Sequence, residues 1–231
     1  MCIAETQLKI LAIRNKNMLH FLGELPQKVC VATSGGSDSM AVLHFLTHDR
    51  KRDVTVAHFN HGTEHGKEAH RFVADYCDAN KIPLTIGEIR RREKLKTESP
   101  EEYWRKARYE FLDGLAEFRP VITCHTLDDV AETWLFSALN GQPKLIPYKR
   151  NNIIRPFLTT EKTELTQWNK RHGVSWIEDP SNQDTKFQRN FIRKEMMPKA
   201  LHVNPGLLKL LRKKLYDAFD AMNAIEHGVF Q

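Results

Sequence analysis

From Val29 to Leu139, short apolar runs alternate with longer stretches whose apolar residues recur every three or four positions. Val29-Cys30-Val31-Ala32, Val54-Thr55-Val56-Ala57-His58-Phe59, Ile82-Pro83-Leu84-Thr85-Ile86 and Val121-Ile122-Thr123-Cys124 read as strands. Between them, residues 65–80 set Ala69, Phe72, Val73, Tyr76 and Cys77 on one helical face, and further helices are predicted at 100–118 and 127–139. An earlier helix is predicted over 3–22, with Pro26 ending the connection into the first strand, and the polar piece 87–100 reads as a loop. Strands alternating with helices imply an α/β fold, a parallel sheet with helices on both faces. After Asn140-Gly141 the pattern changes to a helix from Thr160 to His172, a turn at Glu178-Asp179-Pro180-Ser181-Asn182, then basic helices. Residues 1–149 are therefore expected as an α/β domain and 150–231 as a helical extension.

In such a sheet ligands sit beyond the carboxyl ends of the strands, near a reversal of strand order. The first strand leads straight into Ser34-Gly35-Gly36-Ser37-Asp38-Ser39 and an apolar helix. The two glycines let the backbone turn tightly, so successive N–H groups can face an anion at the helix N-terminus. Ser34, Ser37 and Ser39 add hydroxyl donors. A Walker loop needs a lysine after its second glycine, and none is present here. Asp38 is there instead. Phosphates repel a carboxylate unless a cation lies between them, so Asp38 reads as a magnesium-holding residue and the chemistry as pyrophosphate release. Ser-Gly-Gly-x-Asp-Ser resembles the PP-loop of the ATP pyrophosphatase superfamily; a plain Gly/Ser helix cap is the bland alternative.

A second constellation, His125-Thr126-Leu127-Asp128-Asp129-Val130-Ala131-Glu132, follows the fourth strand. Asp128 and Glu132 are i, i+4 neighbours, and Asp129 is i, i+3 to Glu132. Capping of a helix N-terminus alone accounts for Asp128 or Asp129. Three acids plus a histidine exceed that need and could bind an ammonium group or magnesium, with His125 polarising a leaving group or accepting a proton. His58 and His61, at the end of the second strand, are read either as ligand contacts or as structural hydrogen-bonding groups.

With both clusters, Ala57-His58-Phe59-Asn60-His61-Gly62, Glu101-x-x-x-Arg105-x-x-Arg108-Tyr109, Asp179-Pro180-Ser181-Asn182 and Arg189-Asn190-x-x-Arg193, the chain resembles the tRNA(Ile)-lysidine synthetase family from about Val29 to Pro205. The resemblance implies a Rossmann-like sheet and a two-step reaction. The C2 carbonyl oxygen of a wobble cytidine attacks the α-phosphate of ATP, then the side-chain amine of free L-lysine displaces AMP. It assigns Ser34, Gly35, Gly36, Ser37, Asp38, Ser39, His58 and His61 to ATP, with magnesium held through Asp38. Asp129 and Glu132 would orient lysine, and His125 and Arg105 would balance charge at the α-phosphate. For the proton that lysine must lose, His125, an acid or a phosphate are all open. Cys124 stands where that family usually has glycine, which brings in tRNA thiolases as rivals, although the paired cysteines those enzymes use are missing. Thr63-Glu64 replaces a common Leu-Arg. A non-catalytic nucleotide-binding module is the rival from another class. Relatives continue into further C-terminal domains, so the chain is expected as a short form acting on an anticodon stem-loop.

Charge locates the RNA-facing part. The chain has 231 residues and a formal net charge of +6. From Lys186 to Lys214 nine basic residues stand against Glu195 alone. Arg189, Asn190, Arg193 and Lys194 are therefore read as tRNA contacts, with a solvated helical face as the alternative. Arg90 to Lys96 reads as a second RNA clamp or a solvated connection, and Trp104 and Trp134 as core. The four cysteines include no Cys-x-x-Cys pair, so neither zinc nor an iron–sulfur cluster is expected. With no apolar run of about 20 residues and no signal-peptide layout, a cytoplasmic protein is expected.

Overall fold

The computed structural model describes residues 19–48, 51–89, 100–180, 184–226 and 228. The predicted helix at 3–22 lies outside these except for residues 19–22, which are not helical but bury Leu19 and Leu22. The Arg90–Lys96 stretch, Ser181, Asn182 and the Glu101 side chain also lie outside the description.

Six strands form one sheet in the order β3-β2-β1-β4-β6-β5. The four expected strands are β1 (Lys28–Ala32), β2 (Asp53–Asn60), β3 (Leu84–Glu88) and β4 (Val121–Thr123). β1 pairs in parallel with β2 and with β4, and β2 in parallel with β3. β3 starts two residues later than predicted because Ile82 is used to close the preceding helix, its N–H donating to the Cys77 carbonyl. The helices α1 (Ser37–His48), α2 (Glu64–Ala79), α3 (Pro100–Ala116) and α4 (Leu127–Leu139) follow the expected alternation. Both faces of β1 are buried: Val29 and Val31 pack with Met40, Leu43 and Phe157, while Cys30 packs with Tyr109, Leu112 and Ile153.

The short strands β5 (Lys149–Arg150) and β6 (Ile153–Ile154) were not foreseen. β6 runs parallel to β4 and β5 antiparallel to β6, so the expected boundary between 149 and 150 falls inside a sheet strand. A 3-10 turn (Pro156–Thr159) then leads into α5 (Lys162–His172), which packs on α1. The C-terminal part comprises α6 (Gln188–Phe191), a π-helical segment (Ile192–Met196), α7 (Met197–Val203) and α8 (Leu207–Glu226). Leu207, Leu211 and Leu215 of α8 recur every four residues and bury against Leu22, Leu127, Val130 and Leu158. Trp134 packs at the edge of this cluster, whereas Trp104 is half-buried beside His61. Among the described residues no helix is long and apolar enough to cross a membrane.

Candidate active site

Strand order reverses at β1, and the loops after β1, β2 and β4 meet at that point. They line a cavity of about 860 Å³. Its floor is the loop Ser34–Ser39. Gly35 has φ +88°, the left-handed region that glycine enters without strain. A Cβ there would come within 3.3 Å of Ile177 and 3.4 Å of Val73. The turn is tied by its own hydroxyls: the Ser34 N–H donates to Ser39 Oγ at 3.2 Å, the Gly36 N–H to Ser34 Oγ at 3.3 Å, and Ser39 Oγ to the Gly36 carbonyl at 2.9 Å. Outside, Asn169 Nδ2 donates to the Ser37 carbonyl and hydroxyl, and the Ile177 N–H to the Gly35 carbonyl.

Two carboxylates face each other across one ammonium. Lys162 Nζ lies 3.8 Å from Asp38 and 3.5 Å from Asp129. Burial pushes the Asp38 carboxyl up to about 6; Lys162 opposes that rise, and Asp129 and Asp128 add to it. Burial acts the same way on Asp129, but Lys162, His125 and the hydrogen bonds from Thr126 outweigh it and hold Asp129 below its ordinary value. On Lys162 burial acts downward, yet Asp129 and Asp38 keep the ammonium above its usual value. Asp129 also closes a capping box with Thr126 at the start of α4, and Asp128 accepts the Lys162 N–H at 2.8 Å. These caps fix both helix starts relative to each other.

Glu132 stands one turn further along α4. Both its oxygens are engaged by Arg193, at 2.6 and 2.9 Å, and it is not part of the cavity lining. That bond, together with Asp129 and Asp38, holds the Arg193 guanidinium above its ordinary value despite burial. The arrangement differs from the expected pair of acids open to a lysine, because Lys162 and Arg193 already neutralise them from inside the protein.

Of the other expected residues, Ser34, Gly36, Ser37, Ser39, His58, His61, Arg105 and His125 line the cavity with Asp38 and Asp129. Gly35 shapes the turn from behind. His58 Nδ1 donates to the Thr33 carbonyl at 2.9 Å, leaving Nε2 buried and without a protein partner at the cavity wall. Burial pulls the ring below its ordinary value. Burial and Arg108 lower His61 to about 4, and its Nδ1 is likewise buried and unmatched. His125, bonded to Thr123 Oγ1 at 3.0 Å, is lowered to about 4 by burial and is uncharged near neutral pH. It therefore offers a ring nitrogen and no positive charge. Arg105 lies over the Tyr109 ring, 4.8 Å from its centroid, with the guanidinium at the cavity. Cys124 also lines the cavity, but burial, then Asp38 and Asp129, drive its thiol far above the ordinary value.

The four expected RNA contacts separate. Arg189 and Arg193 line the cavity, Asn190 is buried with Nδ2 on the Asp184 carbonyl, and Lys194 is half-buried away from the lining. Lys162 was missed from sequence. Its one signal was a lysine at a helix start, where the helix dipole disfavours a cation.

A hard divalent cation fits this donor set. Asp38 and Asp129 are acidic oxygen ligands beside the anion loop, and the upward push on Asp38 marks a buried carboxylate that its own lysine does not fully compensate.

The profile of the PP-loop domain family matches residues 6–200, most of the chain and all of the cavity. The chain belongs to the PP-loop family. Among curated members of wider scope, a tRNA(Ile)-lysidine synthase of Nitrosomonas europaea is 30% identical over 214 residues, covering 86% of this chain and 46% of that protein. The enzyme of the same name from Pseudomonas aeruginosa is 36% identical over 186 residues, covering 74% and 41%. The chain thus spans less than half the length of these relatives. By structure, this PP-loop protein is similar to a U34-tRNA thiolase of Methanococcus maripaludis, with a TM-score of 0.69 over 94% of this chain and 80% of that one, at 16% identity. That likeness is one of fold.

Proposed function

We propose that this PP-loop protein is a tRNA(Ile)-lysidine synthase. It joins the side-chain amine of free L-lysine to carbon 2 of the wobble cytidine in a CAU anticodon, consuming ATP and releasing pyrophosphate and AMP. The observation that carries the reading is the meeting of Asp38 and Asp129 on Lys162 inside a cavity floored by the serine–glycine loop. The names of the relatives supply the substrate class.

The residues divide the work as follows. Backbone N–H groups and hydroxyls of Ser34 to Ser39 grip the triphosphate. His58 Nε2 and His61 Nδ1, buried and unmatched, take polar atoms of the nucleotide. Asp38 would hold magnesium, which would supply charge neutralisation and polarisation of the phosphates. The cytidine carbonyl oxygen attacks the α-phosphorus as the bond to pyrophosphate breaks, and Arg105 balances the charge there. The lysine amine, after losing a proton, then bonds to C2 while AMP leaves with the former carbonyl oxygen. Lys162 and Arg193 keep Asp129 and Glu132 fixed, so Asp129 orients the incoming amine from a preset position.

The test is direct. Protein, labelled lysine, ATP, magnesium and tRNA(Ile) bearing a CAU anticodon should yield lysine-modified cytidine with one pyrophosphate per lysine, and other amino acids should not substitute. ATP binding without pyrophosphate release would identify a nucleotide-binding module instead. Sulfur transfer is the second reading only because Cys124 lines the cavity; burial and the two carboxylates keep its thiol protonated and a poor nucleophile. Under the lysine reading Cys124→Ala retains lysine transfer; a parent that instead puts sulfur on the tRNA, and loses that ability in Cys124→Ala, would support thiolation.

A further inference from the structure

Three histidines meet where α1 packs on α5, on residues that do not line the nucleotide cavity. His44 and His48 are i, i+4 neighbours on α1, and His172 is the last residue of α5. One ring nitrogen from each lies within 4.8 Å of the other two. We propose that His44, His48 and His172 bind a divalent transition-metal ion of the zinc class and so clip α1 to α5.

The geometry fits such an ion. Zinc–imidazole bonds of about 2.0–2.1 Å in a tetrahedron put ligand nitrogens about 3.4 Å apart, so small side-chain rotations close the set. The i, i+4 pair on one helix lies within the spacing metal-binding histidines use. Three imidazoles with no carboxylate select zinc, nickel or copper over magnesium, which prefers oxygen. The rings are already gathered, with centroids 5.3 Å apart for His44 and His172 and 4.9 Å apart for His48 and His172. His48 is exposed, which leaves a fourth position to water. Trp168 competes for one ligand: its Nε1–H donates to His44 Nδ1 at 3.1 Å, so His44 exchanges or rearranges that bond on binding. Stacking of His172 on Trp168, with centroids 4.1 Å apart, already holds the third ring in place.

The location gives the clip a consequence. Asn169, one turn before His172, donates to Ser37 at the start of the phosphate loop's own helix. A metal at the histidines therefore braces the contact that positions that helix.

Full-length, tag-free protein treated with a chelator should be titrated with Zn2+ in excess Mg2+, which occupies the carboxylates. One equivalent is expected to bind and to raise the melting temperature, and Co2+ should give the intense visible absorption of a four-coordinate site. His48→Gln and His172→Gln should each weaken Zn2+ binding at least about 100-fold, since losing even an outer-shell partner of a metal ligand costs about 10–100-fold. Both variants should match the parent's urea midpoint without metal. The proposal fails if the parent binds no stoichiometric Zn2+. It fails equally if His172→Gln binds as the parent does, because α1 alone would then hold the ion.

Discussion

Asp38 is a carboxylate that the fold tolerates rather than favours. Its pKa in the native protein is about 6 against an ordinary 3.8. The native state therefore takes up the proton first, and that contribution to stability is complete below pH 3.8 and lost as the pH rises through 6. Asp38→Asn removes this loss. In urea denaturation the variant should exceed the parent by about 1–3 kcal/mol at pH 7.5 and converge with it near pH 4. A difference independent of pH would contradict the assignment. Lysine transfer should meanwhile fall at least about 100-fold, because the residue proposed to hold magnesium is gone. The Arg193–Glu132 pair makes a different, asymmetric prediction. The Glu132 side chain is 7% exposed and Arg193 35%. Arg193→Met strands a buried carboxylate and should cost about 3–5 kcal/mol. Glu132→Gln leaves a guanidinium that still reaches water and Asp129, so the loss should be clearly smaller. Equal losses in urea midpoint would show that burial does not set the cost. At this scale the sequence marked Asp38, Asp129 and His125 because their types and spacing are chemical. It left Lys162 out, since what makes that residue special is a partner more than 100 positions away.

Helices and strands explain where the rest was and was not legible. Long periodic elements with one buried face, such as α2 and α4, could be read because each stretch carries its own pattern. β5 and β6 have two residues each, and Lys149-Arg150 looks like solvent-facing chain until pairing with β6 reveals it as an edge. The π segment was equally hidden. Pro198 has no N–H to give the Lys194 carbonyl, and the widened turn just before it carries Arg193. Arg193 is half-buried and bonded to Glu132 while Arg189 stays exposed, a difference that their i, i+4 spacing does not foretell. The phosphate loop adds a test at this scale. Gly35→Ala meets both a left-handed backbone and the strap residue Ile177, whose N–H bonds to the same glycine. It should cost about 1–2 kcal/mol from backbone strain alone. ATP affinity should drop with it, measurable by calorimetry, because relaxing φ turns the N–H groups away from the phosphates.

For the whole molecule, charge is divided between holding the fold and meeting a partner. Of the nine basic residues from Lys186 to Lys214, Arg193 is spent on Glu132, and Arg212 on Glu161 and the Thr159 carbonyl. Lys186, Lys199, Lys209, Lys213 and Lys214 are exposed. α8 therefore has two jobs: its leucines close the core over α4, and its lysines face solvent. If those lysines contact tRNA phosphates, each contact releases counterions, and the logarithm of the binding constant falls with the logarithm of salt by about 0.7–0.9 per contact. Replacing Lys209, Lys213 and Lys214 together by alanine should then flatten the salt dependence of tRNA binding by about 2–3 units of slope. Lys213 already pairs with Asp217 at 3.1 Å, so its share should be the smallest of the three. The triple variant should keep the parent's urea midpoint, because exposed lysines and exposed ion pairs contribute little to stability. It should also keep its ATP affinity, because none of the three lines the cavity. An unchanged salt slope with lysine transfer intact would instead place the RNA on the Arg189 side of the cavity alone, and the α8 lysines would be no more than a solvated face.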